Sequence, residues 1–255
     1  MLKTDLLLPT ALFAPVLCPA DAAHSAETTL AAPGGIRAAV ERLIVDFERR
    51  SGQKVSATFG SGGATKQRVL DGEAFDVPIV QPPLDSVRAC GHVVVASETP
   101  LASVAVAVAV RKGTPMQDIS TPDAVRRMLL SARAVSCPNG AMGAAAGVSF
   151  EATLQQLGIA NEMEPRLRRI RGGAKAMAAI ASGEVDVGVT FLSEIDDPGV
   201  QVVGLLPEEI STPTAFIGFL SAAAKAPDAA RALVAFLSSP EASATYRATG
   251  MRPLR

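Results

Sequence analysis

The chain has 255 residues, of which 48% are hydrophobic, 4% aromatic and 19% charged. This is enough to form a sizeable core in one large or two medium domains. The 24 Lys and Arg residues nearly balance the 25 Asp and Glu residues, and there is no Trp and a single Tyr. Scattered basic residues and few aromatic rings argue against a nucleic-acid partner or a stacked sugar, so a small polar ligand is expected.

Residues 1–26 have the pattern of a cleaved signal peptide. Lys3 precedes an apolar run that ends at Leu17, and Ala20 and Ala22 place small residues at the positions that determine cleavage. Export to the periplasm is therefore expected. Lipidation of Cys18 is not expected, because Leu17 stands where a small residue is required.

The first half of the mature chain alternates strands and helices. From Ile36 the apolar residues fall on one helical face, and Ser51-Gly52 closes the run. A strand, a helix and a second strand in succession predict parallel pairing. The predicted elements are a strand at Thr28–Ala32, the helix from Ile36, a strand at Lys54–Phe59, a helix at Ala64–Leu70 and a strand at Phe75–Val80.

Ser103–Val110 is a nearly continuous run of β-branched residues and alanine, which predicts one strand covered on both faces. The alternation then restarts, with helices at 123–130, 150–157 and 174–181 and strands at 134–137, 167–170 and 185–191. Strands at 200–205 and 214–221 and helices at 228–237 and 241–249 follow. We therefore expect two α/β lobes, one formed by residues 27–100 and 205–255 and the other by residues 101–204.

Four glycine-rich turns, at residues 33–35, 60–63, 139–147 and 171–173, each follow a predicted strand and open a helix. Their backbone N–H groups and the helix dipoles point at the same space, which is where ligands bind in open α/β sheets. Two sheets whose carboxyl edges face each other would form an anion-binding cleft between the lobes. The turns place Gly34, Gly35, Gly62, Gly63, Gly147 and Gly172 at this cleft.

Catalytic and metal-binding patterns are sparse. His92 is the only histidine after the signal peptide, so neither a Ser-His-acid triad nor a metal site is expected. Cys90 and Cys137 are compatible with a disulfide or with two separate buried thiols. Glu194 follows a strand at the predicted cleft edge, and it is either a functional carboxylate or a solvated or helix-capping one.

The order of several segments resembles the periplasmic molybdate-binding proteins, within the type II solute-binding proteins. The segments include Leu30-Ala31-Ala32-Pro33-Gly34-Gly35, Val55 to Gly63, the Ala146-Gly147 turn, Ser182 to Gly188 and Ala235 to Ala242. The resemblance implies the type II periplasmic-binding-protein fold, with Ser61, Ala146, Arg171 and Gly172 as ligand donors. Phe191 stands where that family has a tyrosine, and the first turn lacks the family's serine, so a carboxylate is favoured over molybdate.

The stretch from Gly188 to Ile195 and the Gly204 to Ile210 segment resemble a branch of this fold that contains aconitate isomerase. That resemblance implies an allylic proton shift with Glu194 as the base and Arg171, Lys66 and Ser61 as donors. Two functions stay open. One is a monomeric periplasmic binding protein that delivers a small anion to an ABC-type transporter, and the other is the isomerase; neither implies a cofactor.

Overall fold

The structure, a computed structural model, describes residues 27–254. The predicted signal peptide, including Cys18 and His24, lies outside the described residues. Within the described part, the chain forms two sheets flanked by helices, as the alternating pattern predicted. None of the helices between residues 27 and 254 is long and apolar enough to cross a membrane.

Lobe 1 is built on a six-stranded sheet with the strand order β11-β4-β10-β3-β1-β2. β1 pairs in parallel with β2 and β3, whereas β10 is antiparallel to both β3 and β4. The strands are β1 (Thr28–Pro33), β2 (Val55–Gly60), β3 (Val77–Val80), β4 (Val93–Val104), β10 (Thr214–Ser221) and β11 (Arg252–Pro253).

Five helices pack around this sheet, and the longest two, α1 (Arg37–Ser51) and α8 (Pro227–Leu237), bury an apolar stripe. In α1, for example, Ala39, Val40, Leu43 and Phe47 are buried and the charged residues face outward. The helices are α1 (Arg37–Ser51), α2 (Gly62–Leu70), α3 (Asp85–Ala89), α8 (Pro227–Leu237) and α9 (Pro240–Ala248).

Lobe 2 is built on a five-stranded sheet with the strand order β7-β6-β8-β5-β9. β6 pairs in parallel with β7 and β8, and β5 is antiparallel to β8 and β9. The strands are β5 (Val106–Arg111), β6 (Val135–Pro138), β7 (Leu167–Ile170), β8 (Val187–Phe191) and β9 (Val200–Leu205). The helices are α4 (Pro122–Ser131), α5 (Ala145–Gln156), α6 (Ala160–Met163) and α7 (Gly173–Ala181).

Two sequence predictions are wrong. The run Ser103–Val110 is not one strand, because β4 ends at Val104 in lobe 1 and β5 begins at Val106 in lobe 2. The chain crosses between the lobes at Ala105 and returns between β9 and β10. Helix α5 begins at Ala145, well before the predicted Phe150, because the small residues ahead of Phe150 are helical rather than part of the turn.

The two lobes contact each other beside the cleft. On one side the Phe191 ring of β8 packs edge-on against Phe216 of β10, with 6.4 Å between the ring centroids. The Ser193 hydroxyl donates to the Gly35 carbonyl on the same side, at 2.6 Å. On the other side the Gly63 N–H donates to the Gly143 carbonyl at 2.9 Å. The structure is therefore a closed arrangement of the lobes.

Candidate functional site

A cavity of about 570 Å³ lies between the lobes, and all four glycine-rich turns line it. Lobe 1 contributes the ends of β1, β2 and β3, and lobe 2 contributes the residues that follow β6, β7 and β8. The lining residues are Pro33, Gly34, Gly35, Arg37, Phe59, Gly60, Ser61, Gly62, Ala64, Gln81, Pro138, Asn139, Met142, Ala144, Ala145, Ala146, Arg171, Gly172, Gly173, Phe191 and Glu194.

Helix N-termini from both lobes meet at this cavity. Helices α2, α5 and α7 begin at lining residues, and a 3₁₀ turn at Gly34–Ile36 leads into α1 there. The first N–H groups of a helix have no acceptor within the helix, and the helix dipole adds a partial positive charge. The cavity is therefore suited to an anion.

Two guanidinium groups and one carboxyl group line the cavity. Arg37 pairs with Glu41 at 2.8 Å and lies over the Phe59 ring, 4.9 Å from its centroid. Arg171 is exposed and has no ion-pair partner among residues 27–254. Arg171 is thus free to pair with a ligand, whereas Arg37 is already oriented by Glu41 and Phe59.

Glu194 is the only acidic residue among those lining residues. The buried hydroxyl of Thr190 donates to Glu194 Oε2, and the Glu194 carboxyl packs against Gly173, where no space remains for a β-carbon. Burial raises the pKa of Glu194, although hydrogen bonds from Thr190 and from the Phe191 backbone act in the opposite direction. A carboxyl group in this environment accepts and holds a proton more readily than an exposed one.

The sequence analysis missed two amide side chains in the cavity. Gln81 follows β3, is only 4% exposed, and its side chain makes no hydrogen bond with any residue between 27 and 254. Asn139 follows β6, and its buried Oδ1 has no hydrogen-bond partner in the same range. An apolar strand followed by Pro82-Pro83 resembles an ordinary loop entry, so nothing in the local pattern pointed to Gln81.

The structure brings most of the predicted site residues together. Gly34, Gly35, Ser61, Gly62, Ala146, Arg171, Gly172, Phe191 and Glu194 all line the cavity. Ser61 is already engaged, since its hydroxyl accepts from the Ala64 N–H at 3.2 Å and donates to the Met142 carbonyl at 3.0 Å.

The other three predicted residues are not among the lining residues. Lys66 Nζ donates to the Pro83 carbonyl at 2.8 Å. Gly147 packs against the carbonyl of Pro138, and Gly63 packs against Gly143 of the other lobe. Cys90 and Cys137 are free thiols, so the disulfide alternative is not what the structure contains.

Comparison with known families identifies the kind of protein. The sequence model of the family described as bacterial extracellular solute-binding protein matches residues 28–252. An aconitate isomerase from Pseudomonas sp. is 30% identical over 233 residues, covering 89% of this chain and 87% of that protein.

Solved structures with the same fold include the periplasmic molybdate-binding protein of Azotobacter vinelandii. It has a TM-score of 0.76 at 18% identity, covering 90% of this chain and all of that one. PEB3 of Campylobacter jejuni with bound L-phospholactate has a TM-score of 0.66 at 18% identity, covering 89% of this chain and 99% of that one. At this identity the likeness shows the fold alone, and it confirms the predicted type II periplasmic-binding-protein architecture.

Proposed function

Because this chain belongs to the family of bacterial extracellular solute-binding proteins, we propose that it binds a small organic carboxylate between its lobes. Under this proposal it acts in the periplasm as a monomer and delivers the ligand to an ABC-type transporter. The observation that carries the proposal is the cavity between the lobes, in which helix N-termini from both lobes converge beside Arg37 and Arg171.

The size of the cavity favours an organic acid over an inorganic oxyanion. About 570 Å³ lies within the range typical of pockets for small organic molecules, roughly 300–1,000 Å³. A five-atom oxyanion would fill only a small part of this volume. Ser61, the remaining serine of the two lobe 1 turns, is occupied by Ala64 and Met142.

Calorimetry with a panel of anions tests this proposal. The panel contains tricarballylate, citrate, succinate and acetate on one side, and sulfate and molybdate on the other. We expect di- and tricarboxylates to bind with micromolar or tighter dissociation constants and to raise the melting temperature. Binding of molybdate or sulfate alone would contradict the carboxylate proposal, and light scattering of the same samples tests the monomer.

Glu194 favours a second candidate function, an aconitate-isomerase-like proton shift. Here a C–H bond of the bound tricarboxylate breaks and its proton passes to the Glu194 carboxylate. The electron pair moves through the adjacent double bond, and the proton returns to the far carbon as a new C–H bond forms. The half-buried position of Glu194, its raised pKa and the 30% identity to an aconitate isomerase support this candidate.

Absorbance of trans-aconitate in the ultraviolet follows this reaction directly. If the protein is an isomerase, Glu194→Gln abolishes turnover but keeps tricarballylate binding, because tricarballylate has no double bond to shift. Glu184→Gln, a change of the same kind at an exposed position in lobe 2, should keep wild-type turnover. Absence of turnover by the wild-type protein at high enzyme concentration would rule out this candidate.

A further inference from the structure

Gln81 lies in the wall of the cavity, and its side chain has no hydrogen-bond partner within the described part of the chain. Its side chain follows β3 and packs beneath the first residue of α2, with Cδ 3.1 Å from the position that a β-carbon of Gly62 would take. The residue is 96% removed from solvent, yet it borders the cavity and its side chain bonds to nothing in the described chain. Its amide atoms are not among the fully buried polar atoms without a partner, so they are accessible from the cavity and available to a ligand.

An amide group offers both donor N–H groups and an acceptor oxygen. The other polar groups at the cavity are mainly donors, namely the helix N-termini, Arg37 and Arg171. These suit the oxygens of a carboxylate. The Gln81 oxygen and the buried Asn139 Oδ1 are acceptors, and a fully ionised oxyanion or simple carboxylate has no donor for them. A ligand that gives both the donors and the acceptors of the cavity wall a hydrogen-bond partner carries a hydroxyl group in addition to its carboxylates.

We infer that Gln81 is the specificity-determining residue of the site and that the ligand class is a hydroxylated di- or tricarboxylate. This inference rests on the proposed function, carboxylate binding in the same cavity. The Gln81 amide accepts from the ligand hydroxyl and donates to the neighbouring carboxylate oxygen. Arg171 and the helix N-termini hold the remaining carboxylates.

Two ligand pairs that differ by one hydroxyl group test the inference by calorimetry: citrate against tricarballylate, and malate against succinate. We expect the hydroxylated member of each pair to bind at least tenfold more tightly, because a site built for a hydroxyl group rejects the analogue without it. In Gln81→Met, which keeps an unbranched side chain of similar length, the two members should bind within about threefold of each other.

Gln67→Met is the matched control, since Gln67 is an exposed residue of α2 that bonds to Asp71. It should keep the wild-type preference. The melting temperature of unliganded Gln81→Met should stay close to that of the wild type, because Met has a similar volume and the Gln81 side chain makes no hydrogen bond within residues 27–254. A lower melting temperature with an unchanged citrate preference would mean that Gln81 is structural, and would overturn the assignment.

The outcomes also separate this inference from the function on which it rests. Equal binding of both members of each pair by the wild type overturns the hydroxyl inference and leaves carboxylate binding standing. If Gln81→Met still prefers the hydroxylated ligand of each pair, another residue recognises the hydroxyl group and the assignment to Gln81 is wrong. Failure of all four carboxylates to bind the wild type contradicts the proposed function itself.

Discussion

Gly63→Ala should weaken ligand binding by opening the cleft, although Gly63 does not line the cavity. Gly63 lies in the first turn of α2, and a β-carbon there would stand 2.9 Å from the α-carbon of Gly143 in the other lobe. Carbon atoms in good contact are about 3.5–4.0 Å apart. Because both sides of this contact are backbone, neither can turn away, and the lobes must separate by roughly 0.5–1 Å.

That separation breaks two hydrogen bonds between the lobes, from the Gly63 N–H to the Gly143 carbonyl at 2.9 Å and from Ser61 to the Met142 carbonyl at 3.0 Å. Each contributes about 0.5–1.5 kcal/mol net, so the closed form loses about 1–3 kcal/mol relative to the open form. A ligand that binds the closed form then binds about 5- to 150-fold more weakly.

Calorimetry with tricarballylate measures this loss, and small-angle X-ray scattering of the unliganded variant detects opening without any ligand. The melting temperature of the unliganded variant should fall only slightly, because the better helix propensity of Ala offsets part of the loss of the two hydrogen bonds. Gly218→Ala is the control, since its β-carbon would meet a Leu101 methyl at an ordinary 3.4 Å. A Gly63→Ala variant with wild-type affinity and an unchanged radius of gyration would refute the closure argument.

Three further substitutions test the charged groups. Arg171→Gln should lower tricarballylate affinity about tenfold at low salt and leave the melting temperature unchanged, because Arg171 is exposed and unpaired within residues 27–254; equal affinity would remove it from the site. Glu194→Gln should raise the melting temperature at pH 8 but not at pH 4. The raised pKa of Glu194 means that its ionisation above the ordinary value of 4.5 destabilises the folded protein. A loss of stability at pH 8 would contradict this reasoning. Asp76→Ala should lower the urea-derived free energy of unfolding by about 3 kcal/mol, because it leaves the backbone N–H groups of Thr29, Lys225 and Ala226 without their acceptor. Although burial alone would raise the pKa of Asp76, these hydrogen bonds lower it, so the wild type keeps this stability above pH 3.8 and loses it only in stronger acid.

The alternation of strands and helices was sufficient to predict both lobes, because each element of an α/β lobe carries its own hydrophobic period. The error at Ser103–Val110 has a physical cause. β4 and β5 are both buried at this point, and residues on either side of Ala105 are equally apolar. Strands that are covered on both faces are apolar throughout. The residue at which the chain passes from one sheet to the other therefore cannot be recognised in such a run.

The parts of the candidate site that are formed by backbone groups were easier to predict than the parts formed by side chains. Glycine-rich turns at strand ends are visible in the sequence, and all four line the cavity. Glu194 was a candidate because it follows β8 at the same edge. Gln81 depends on the packing of β3 beneath α2, and the engagement of Ser61 depends on the approach of Met142 from the other lobe. Neither contact is local in the sequence.

The position of β10 between β3 and β4 determines the order in which the two lobes can be completed. The strands of lobe 2 lie between residues 106 and 205, so this lobe can fold once that segment of the chain is available. Lobe 1 cannot, because β3 and β4 lack their common neighbour until Thr214–Ser221 arrives. In a chain that emerges from its N-terminus, the earlier half of lobe 1 therefore has unpaired edges on β3 and β4 while lobe 2 forms beside it.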